Sequence, residues 1–403
     1  MNTRYRWWIL ALLTLGTTIN YLDRIALGFL AKVMREDLHM DNKAYGLVQG
    51  SFQFAYTIGF LFAGALIDRY GVRLGYAVAA GWWSVAAMLH SLAGNAVHLG
   101  AWRALLGVGE SGNFPSAIKA VAEWFPVKDR AFATGIFNAG TNVASMIGPL
   151  MFAAMAAKFG WRGCFLITGA LGIAWMVVWW MAYYTPRQEG ASGPPPAPMP
   201  WRQAVQHRET WGIALAKFFS DPVWWFYLFW LPIYFYDIRK WSMDELKWAL
   251  PFIYLVADIG SVAGGWFSGF LIRRGWTVPR ARKGTMLLCA LCPPVAALAV
   301  LSPDPVWAVV LFSIAPAAHQ GWSANLYTTI SDVFPKRAVA SVTGIGGFLG
   351  GLSGVIFSTV IPAYVLPHVG YLPLFLGMGC FYLFGLAALS WLVGRWQPLE
   401  PHT

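Results

Sequence analysis

FPVKDRAFATGI, Phe125–Ile136, returns 209 positions later as FPKRAVASVTGI, Phe334–Ile345. Both copies open on Phe-Pro, carry basic residues next and close on Thr-Gly-Ile. Each follows one long apolar segment and leads into another. A looser pair lies upstream of each copy: GALIDRYGVR, Gly64–Arg73, is echoed by GWFSGFLIRRG, Gly265–Gly275, with Gly269 at the position of Asp68. Two loops that recur at equivalent places identify a chain built by duplication, and the segments around them give the fold class.

Those segments are long enough to span a bilayer. They run near Trp7–Leu30, Ala44–Ile67, Gly75–Ala93, Leu99–Ala122, Ala133–Ala157 and Gly163–Tyr184, then Trp211–Tyr236, Leu246–Ile272, Thr285–Leu301, Val306–Val333, Val339–Leu366 and Gly370–Val393. The expected fold is an all-α membrane protein with twelve transmembrane helices in two pseudo-symmetric six-helix bundles. Residues 1–184 form the first bundle, 185–210 a Pro-rich cytoplasmic linker and 211–403 the second bundle. Internal repeats of this kind are the architecture of secondary transporters, with the substrate site near the bilayer midplane where the repeats meet. Composition agrees. Of 403 residues, 58% are hydrophobic and only 12% charged, with mean hydropathy +0.52; a soluble chain would carry roughly 25% charged residues. The solvent is therefore lipid. The start, MNTRYRWWIL, has basic residues before an apolar run but no A-x-A site after it, and reads as a retained first helix.

Lys and Arg give the orientation. With alternate loops assigned to one side from the N-terminus, that side collects 17 of them and the other 8. Both termini and the linker are thus expected in the cytoplasm. The net charge of +11 is mostly this bias and requires no nucleic-acid partner.

The charges left inside helices are Asp23 and Arg24, Arg103 and Glu110, Lys119, Lys217 and Asp221, and Asp258. A charge at a helix centre costs about 2.5 to 3.5 kcal/mol on insertion scales, so it must pair or face a wet cavity. Arg offers a planar fork suited to a carboxylate, and a carboxyl in a low-dielectric cavity holds its proton more tightly. Asp23, Arg24 and Glu110 then read as proton-handling and anion-binding groups, three being more than helix locking requires. The opposing reading is fixed ion pairing, and it weighs more for Arg103, which shares a helical face with Glu110, and for Lys217 and Asp221, which are one turn apart and can neutralise each other. Asp258 and His319 are left open between the two readings. Tyr21, Tyr56, Asn138, Asn142, Gln320 and Asn325 offer the amides and phenols that sugar hydroxyls need, or else hydrogen bonds between helices. The tryptophans are expected mostly in interfacial belts.

Other chemistry is poorly provided for. Cys289-x-x-Cys292 is followed by Pro293 and Pro294 and lacks a second ligand pair, so it reads as packing. The seven histidines are scattered, and no H-E-x-x-H, G-x-S-x-G or Walker sequence occurs. An enzyme, an ATP-driven pump, a metal site and a cofactor are all unexpected, and the repeat with its sparse charges argues against a channel.

GALIDRYGVR resembles the loop signature of the major facilitator superfamily, whose Asp and Arg couple helix ends and govern opening. On that resemblance Gly64, Asp68, Arg69, Gly71 and Arg73 form a gating loop, and Gly269 departs from the pattern in the second half. NYLDRIAL, RALLGVGESGNFPSAIKAVAEWFP and GIFNAGTNVASMIGPL resemble the anion:cation symporters of that superfamily. KFFSDPVWWFYLFWLP and HQGWSANLYTTISDVFPKRAVASVTGIGG resemble their hexuronate-transporter branch. The likeness covers essentially the whole chain. It implies a proton-coupled symporter that imports a sugar acid by alternating access, a hexuronate such as glucuronate or galacturonate, with an aldonate such as galactonate or another organic anion as the alternative. It further implies Asp23 and Glu110 as the protonatable pair, Arg24 as a contact for the substrate carboxylate, and Arg103 as the partner that tunes Glu110 and a substrate-binding residue. Tyr56, Lys217 and Asn325 would contact substrate, and Tyr21, Asn138, Asn142, Asp221, His319 and Gln320 are further candidates. The partners are the sugar acid, protons and the bilayer, with the chain functional as a monomer.

Overall fold

The computed structural model describes residues 4–186, 199–241, 243–357, 361–394 and 396. Most of the Pro-rich linker, with Arg187, and Arg395 near the C-terminus lie outside the described residues. Among the described residues the regular structure is helical throughout, with no strand. The helices are α1 (Tyr5–Phe29), α2 (Ala31–Asp37), α3 (Asn42–Tyr70), α4 (Val72–Leu89), α5 (Ala96–Glu110), α6 (Asn113–Trp124), α7 (Val127–Ala182), α8 (Trp201–Ala204), α9 (Arg208–Asp237), α10 (Met243–Arg273), α11 (Val278–Ala296), α12 (Pro305–Val333), α13 (Val339–Val355), α14 (Ile361–Val369) and α15 (Tyr371–Leu392). Six helices among the described residues are long and apolar enough to cross a membrane by length and composition. Of the others, α1, α5, α6, α9 and α12 carry buried charged side chains, among them Asp23, Arg103, Glu110, Lys119, Lys217 and Asp332.

The apolar segments of the sequence fall on these helices, with three local departures. The fourth segment is divided into α5 and α6 at Ser111–Gly112. Pro115 has no N–H to offer the carbonyl one turn back, so the ladder is interrupted there. The fifth and sixth segments form one element, α7, broken at Gly160, whose φ of 67° turns the chain between two limbs. The eleventh is divided into α13 and α14. Capping marks the helix starts: Asp41 accepts from Ala44 N–H at 2.7 Å, Asn95 from His98 N–H at 2.9 Å and Asp304 from Trp307 N–H at 2.9 Å. Each satisfies one backbone donor that the helix cannot.

The chain forms two compact units. The first comprises Met1–Trp124, Val143–Trp201 and Lys336–Phe348; the second comprises Phe125–Asn142, Arg202–Pro335 and Leu349–Thr403. Each unit thus takes one segment from the other half of the sequence, and the two segments begin in the copies of the repeat.

In the first unit, α13 packs against α3 with backbones nearly touching. A Cβ at Gly64 would stand 2.3 Å from the Ala340 carbonyl oxygen, and one at Gly344 would stand 2.2 Å from that of Phe60. In the second unit the first limb of α7 packs against α10 in the same way. A Cβ at Gly265 would stand 2.1 Å from the Ala131 carbonyl oxygen, and one at Gly135 would stand 2.4 Å from that of Ser261. Gly135 and Gly344 are the glycines of the repeated Thr-Gly-Ile, and Ala131 and Ala340 also occupy corresponding positions. Small residues bring helices close enough for dispersion and polar contacts to bind them where lipid supplies no hydrophobic drive. The two contacts are paired seams, α3–α13 and α7–α10.

Packing elsewhere is aromatic. Trp83, Trp124, Trp179 and Trp322 are fully buried, so these four do not belong to an interfacial belt. Trp175 and Trp179 stack at 5.4 Å, and Tyr76 meets both edge-on at 4.9 Å. Offset and edge-to-face contacts of this kind suit aromatic quadrupoles.

Candidate functional site

In the first unit the intramembrane charges of α1 and α5 come together. Asp23 and Arg24 are neighbours, so their side chains leave α1 about 100° apart and reach different helices. The Arg24 Nε donates to Glu110 Oε2 at 2.8 Å. Its guanidinium lies over the rings of Tyr56 at 4.3 Å, Tyr21 at 4.4 Å and Phe52 at 5.3 Å. Faces of aromatic rings stabilise a desolvated cation. The Arg24 Nη2 and Glu110 Oε1 are buried without a hydrogen-bond partner.

Asp23 is fully buried, and neither carboxyl oxygen has a hydrogen-bond partner among the described residues. Asn20, one turn earlier, is likewise buried with its amide unpartnered. The Thr168 hydroxyl lies beside Asp23 but outside hydrogen-bond geometry. Buried polar groups are almost always paired in folded proteins, so a cluster of unpaired ones calls for a ligand, a proton or water.

Arg103 takes a different place from the one its spacing suggests. It donates through Nη2 to the Arg24 carbonyl at 3.2 Å and through Nη1 to the Asp23 carbonyl at 3.5 Å, and lies over Phe52 at 4.5 Å. Glu110 is therefore hydrogen-bonded by Arg24 and not by Arg103. Seven residues place two side chains on one face, but they also separate them by about 10 Å along the axis, whereas Arg24 approaches Glu110 from the adjacent helix. The Arg103 Nε remains buried and unpartnered.

The second unit holds the remaining candidates. Lys217 is paired with Asp221 Oδ2 at 2.7 Å, donates to Tyr327 Oη at 3.0 Å and lies over that ring at 4.4 Å. This is the local neutralisation that the one-turn spacing allowed. His319 Nδ1 lies 2.8 Å from Tyr382 Oη while Trp224 stacks on its ring at 5.2 Å. Asn138 donates to Gln320 Oε1 at 2.5 Å and to Ser261 Oγ at 3.4 Å, and Asn142 donates to Asp258 Oδ1 at 2.7 Å. Asn325 is fully buried, its amide nitrogen donating to the carbonyls of Gly264 at 3.0 Å and Gly321 at 2.9 Å. Its nitrogen is thus committed to the α10–α12 contact, and only Oδ1 is unpartnered.

The gating loop sits at the end of the α3–α13 seam. Asp68 accepts from the Ser341 N–H at 2.7 Å and the Ala340 N–H at 3.3 Å, and from Lys119 Nζ at 2.7 Å. It therefore holds two of the orphan donors at the start of α13, where a negative charge also meets the positive end of the helix dipole. Arg73 donates to the Trp180 carbonyl at 2.8 Å and stacks over its ring at 4.6 Å. Arg69 is exposed beside Tyr70, and Gly71 takes the φ of 84° that ends α3.

Sequence reasoning counted Lys119 among the intramembrane charges without giving it a partner. It also passed over Arg282, which donates to Asp332 Oδ2 at 3.0 Å, Ser268 Oγ at 2.6 Å and the Val127 carbonyl at 2.8 Å. Arg130 lies 3.5 Å from the other Asp332 oxygen. Asp332 lies just before the second copy of the repeat and Arg130 within the first, which was a usable signal.

A multi-pass helical membrane protein with an internal duplication and paired seams is the class this fold defines. Residues 13–358 match the family model of the Major Facilitator Superfamily, and the chain belongs to that superfamily of membrane transporters. It is 31% identical to the hexuronate transporter of Escherichia coli K12, over 98% of this chain and 95% of the other. It is 27% identical to the D-galactonate transporter of Escherichia coli O6:H1, over 97% of this chain and 96% of the other. The structure resembles that of the proton:xylose symporter XylE bound to 6-bromo-6-deoxy-D-glucose, with TM-score 0.76 at 15% identity over 98% of both chains.

Proposed function

We propose that this protein is a proton-coupled symporter that imports a sugar acid, a hexuronate such as glucuronate or galacturonate, across the bacterial inner membrane. The observation that carries the reading is the Arg24–Glu110 pair beside Asp23. Arg24 is held by one carboxyl, keeps a buried Nη2 unpartnered, and lies next to a second carboxyl with no partner at all. Such a site can exchange anions. Protonation of Glu110 weakens its hold on the guanidinium, which then takes the carboxylate of the substrate in a bidentate pair. Loss of that proton returns Glu110 to Arg24 and expels the anion. Substrate binding and proton binding are thereby linked through one side chain, and alternating access converts the linkage into accumulation.

In this reading Asp23 is the second proton carrier, Arg103 supports the carboxylate site, and Tyr56 and Tyr21 pack against the sugar. Lys217, Asp221, Asn138, Asn142, His319, Gln320 and Asn325 are the further substrate contacts of this reading. Residues 1–184 and 211–403 act as the two moving halves, with both termini cytoplasmic and a single chain sufficient. The likeness to a hexuronate transporter supports the substrate class. The likeness to a D-galactonate transporter over 97% of the chain supports an aldonate as the second reading.

The test uses the purified protein in proteoliposomes with labelled glucuronate, galacturonate and galactonate. An inward proton gradient should drive uptake of a hexuronate, and a protonophore should abolish it. Full accumulation driven by a sodium gradient alone would overturn the coupling. Glu110→Gln should retain counterflow and lose gradient-driven uptake, because it mimics the protonated carboxyl permanently. Parallel loss of both modes would make Glu110 a structural partner of Arg24.

A further inference from the structure

Asp258 is the intramembrane carboxyl that the proposed mechanism leaves idle. It lies midway along α10, in the second unit, at the last polar contact of the α7–α10 seam. Its Oδ1 accepts from Asn142 Nδ2 at 2.7 Å. Its Oδ2 has no partner among the described residues, yet it is not one of the sealed unpartnered atoms, and the residue is only partly buried. No Lys or Arg pairs with it among the described residues. A carboxylate oxygen therefore faces accessible space at mid-membrane depth without a cation.

The other seam indicates that packing does not need this acid. Gly64 and Gly265 make the same close approach to Ala340 and Ala131. Seven residues before Gly64 stands Thr57, and seven before Gly265 stands Asp258. A threonine thus suffices at the equivalent point of the first seam. The acid in the second carries an insertion penalty that helix packing does not explain. One turn below Asn142, Asn138 donates to Gln320, so the acceptor stands above an amide ladder.

We infer that Asp258 determines which sugar acids are accepted: it receives hydrogen bonds from hydroxyls of a polyhydroxylated monoacid and repels a second carboxylate. This rests on the sugar-acid reading above. The chemistry is asymmetric. A hydroxyl donates to a carboxylate, whereas the far end of an aldarate, a carboxylate itself, meets a like charge with no cation to offset it. Hexuronates and aldonates would pass, and six-carbon diacids such as galactarate would be excluded.

The experiment measures inhibition of labelled glucuronate uptake by galactarate and by unlabelled glucuronate, in proteoliposomes containing the full chain. The parent should be inhibited far more weakly by galactarate. In Asp258→Asn, and in Asp258→Thr, which carries the residue of the other seam, the galactarate-to-glucuronate ratio of inhibition should rise by about tenfold or more as the like-charge contact is lost. Ser261→Ala, which removes a hydrogen bond of the same seam and leaves Asp258 with its Asn142 contact, should leave the ratio where it is. An unchanged ratio in both Asp258 variants, or an equal shift in Ser261→Ala, would overturn the assignment and leave Asp258 a packing residue. Should the parent carry an aldonate in place of glucuronate, the same ratio is taken against that acid. A parent that carries no sugar acid would refute the functional reading itself, an outcome distinct from an active parent with an unmoved ratio.

Discussion

The α3–α13 and α7–α10 seams are built on one plan and fastened differently. Both pair a glycine with an alanine carbonyl, Gly64 with Ala340 and Gly265 with Ala131, and both use the glycine of a repeated Thr-Gly-Ile. Their ends differ. In the first unit Asp68 holds the backbone donors of Ala340 and Ser341 and pairs with Lys119. In the second, Gly269 occupies the place of Asp68 and a Cβ there would stand 2.5 Å from the Lys128 carbonyl oxygen. Fastening passes instead to Arg282, which ties Asp332 to the Val127 carbonyl. The first seam is held by an acid on the donor end of a helix, and the second by an arginine on a backbone acceptor. Duplication preserved the close approach, which depends on backbone sterics, while the charges around it changed sign.

The strongest way to break this contrast is at the buried pair of the second seam. Arg282 and Asp332 side chains are 0% and 2% exposed. Arg282→Met should destabilise the protein by about 3 to 5 kcal/mol, because it leaves a buried carboxylate with only the longer Arg130 contact. Thermal unfolding in detergent, with yield of monodisperse protein, measures it. A loss comparable to that of an exposed arginine would mean that the pair does not fasten the seam.

Restoring the missing acid sharpens the comparison next. If the seams were interchangeable, Gly269→Asp would add a latch and stabilise. The Lys128 carbonyl oxygen lies where the new Cβ must go, so the expectation is a loss of about 1 to 3 kcal/mol from overpacking. Gly64→Val and Gly265→Val should behave alike, each separating its helices. A stabilised Gly269→Asp, or a Gly265→Val that unfolds like the parent, would contradict the shared plan.

A smaller effect is expected at Ser261, which corresponds to Phe60 in the first seam. Its hydroxyl donates to the Gly135 carbonyl at 3.0 Å and receives the longer bond from Asn138. Ser261→Ala should cost about 1 kcal/mol, readable as a shift of the same unfolding curve.

The smallest lies outside both seams. Arg162 and the Trp161 indole N–H hydrogen-bond to Asp37 and hold its carboxyl below the ordinary carboxylate range. A depressed pKa makes the contribution present above the unfolded value, about 3.9, and lost as pH falls through the lower folded one. Since both side chains are nearly half exposed, screening keeps the effect slight. Asp37→Asn should lower stability slightly across the neutral region and converge with the parent at strongly acid pH, flattening the acid limb. A shift at neutral pH exceeding that of Ser261→Ala would assign this pair a larger role.

Much of the architecture was legible because lipid imposes one requirement on every residue it meets. Backbone polar groups must be satisfied within the segment, so helices and their order follow from hydropathy alone. The repeat beginning at Phe125 and Phe334 revealed the duplication, and the lysines and arginines gave an expected orientation. The intramembrane charges could be named one by one because each is costly. Their partners could not. Glu110 and Arg103 share a face of α5, but only the packing of α1 against it gave Glu110 to Arg24 and turned Arg103 to the carbonyls of Asp23 and Arg24. Nor did the sequence give Lys119 to Asp68, Asn142 to Asp258, or the nitrogen of Asn325 to the Gly264 carbonyl. Spacing along one helix specifies direction and height on that helix. Which side chain from another helix meets it depends on how closely two backbones can approach, and glycines such as Gly64 and Gly265 decide that in three dimensions.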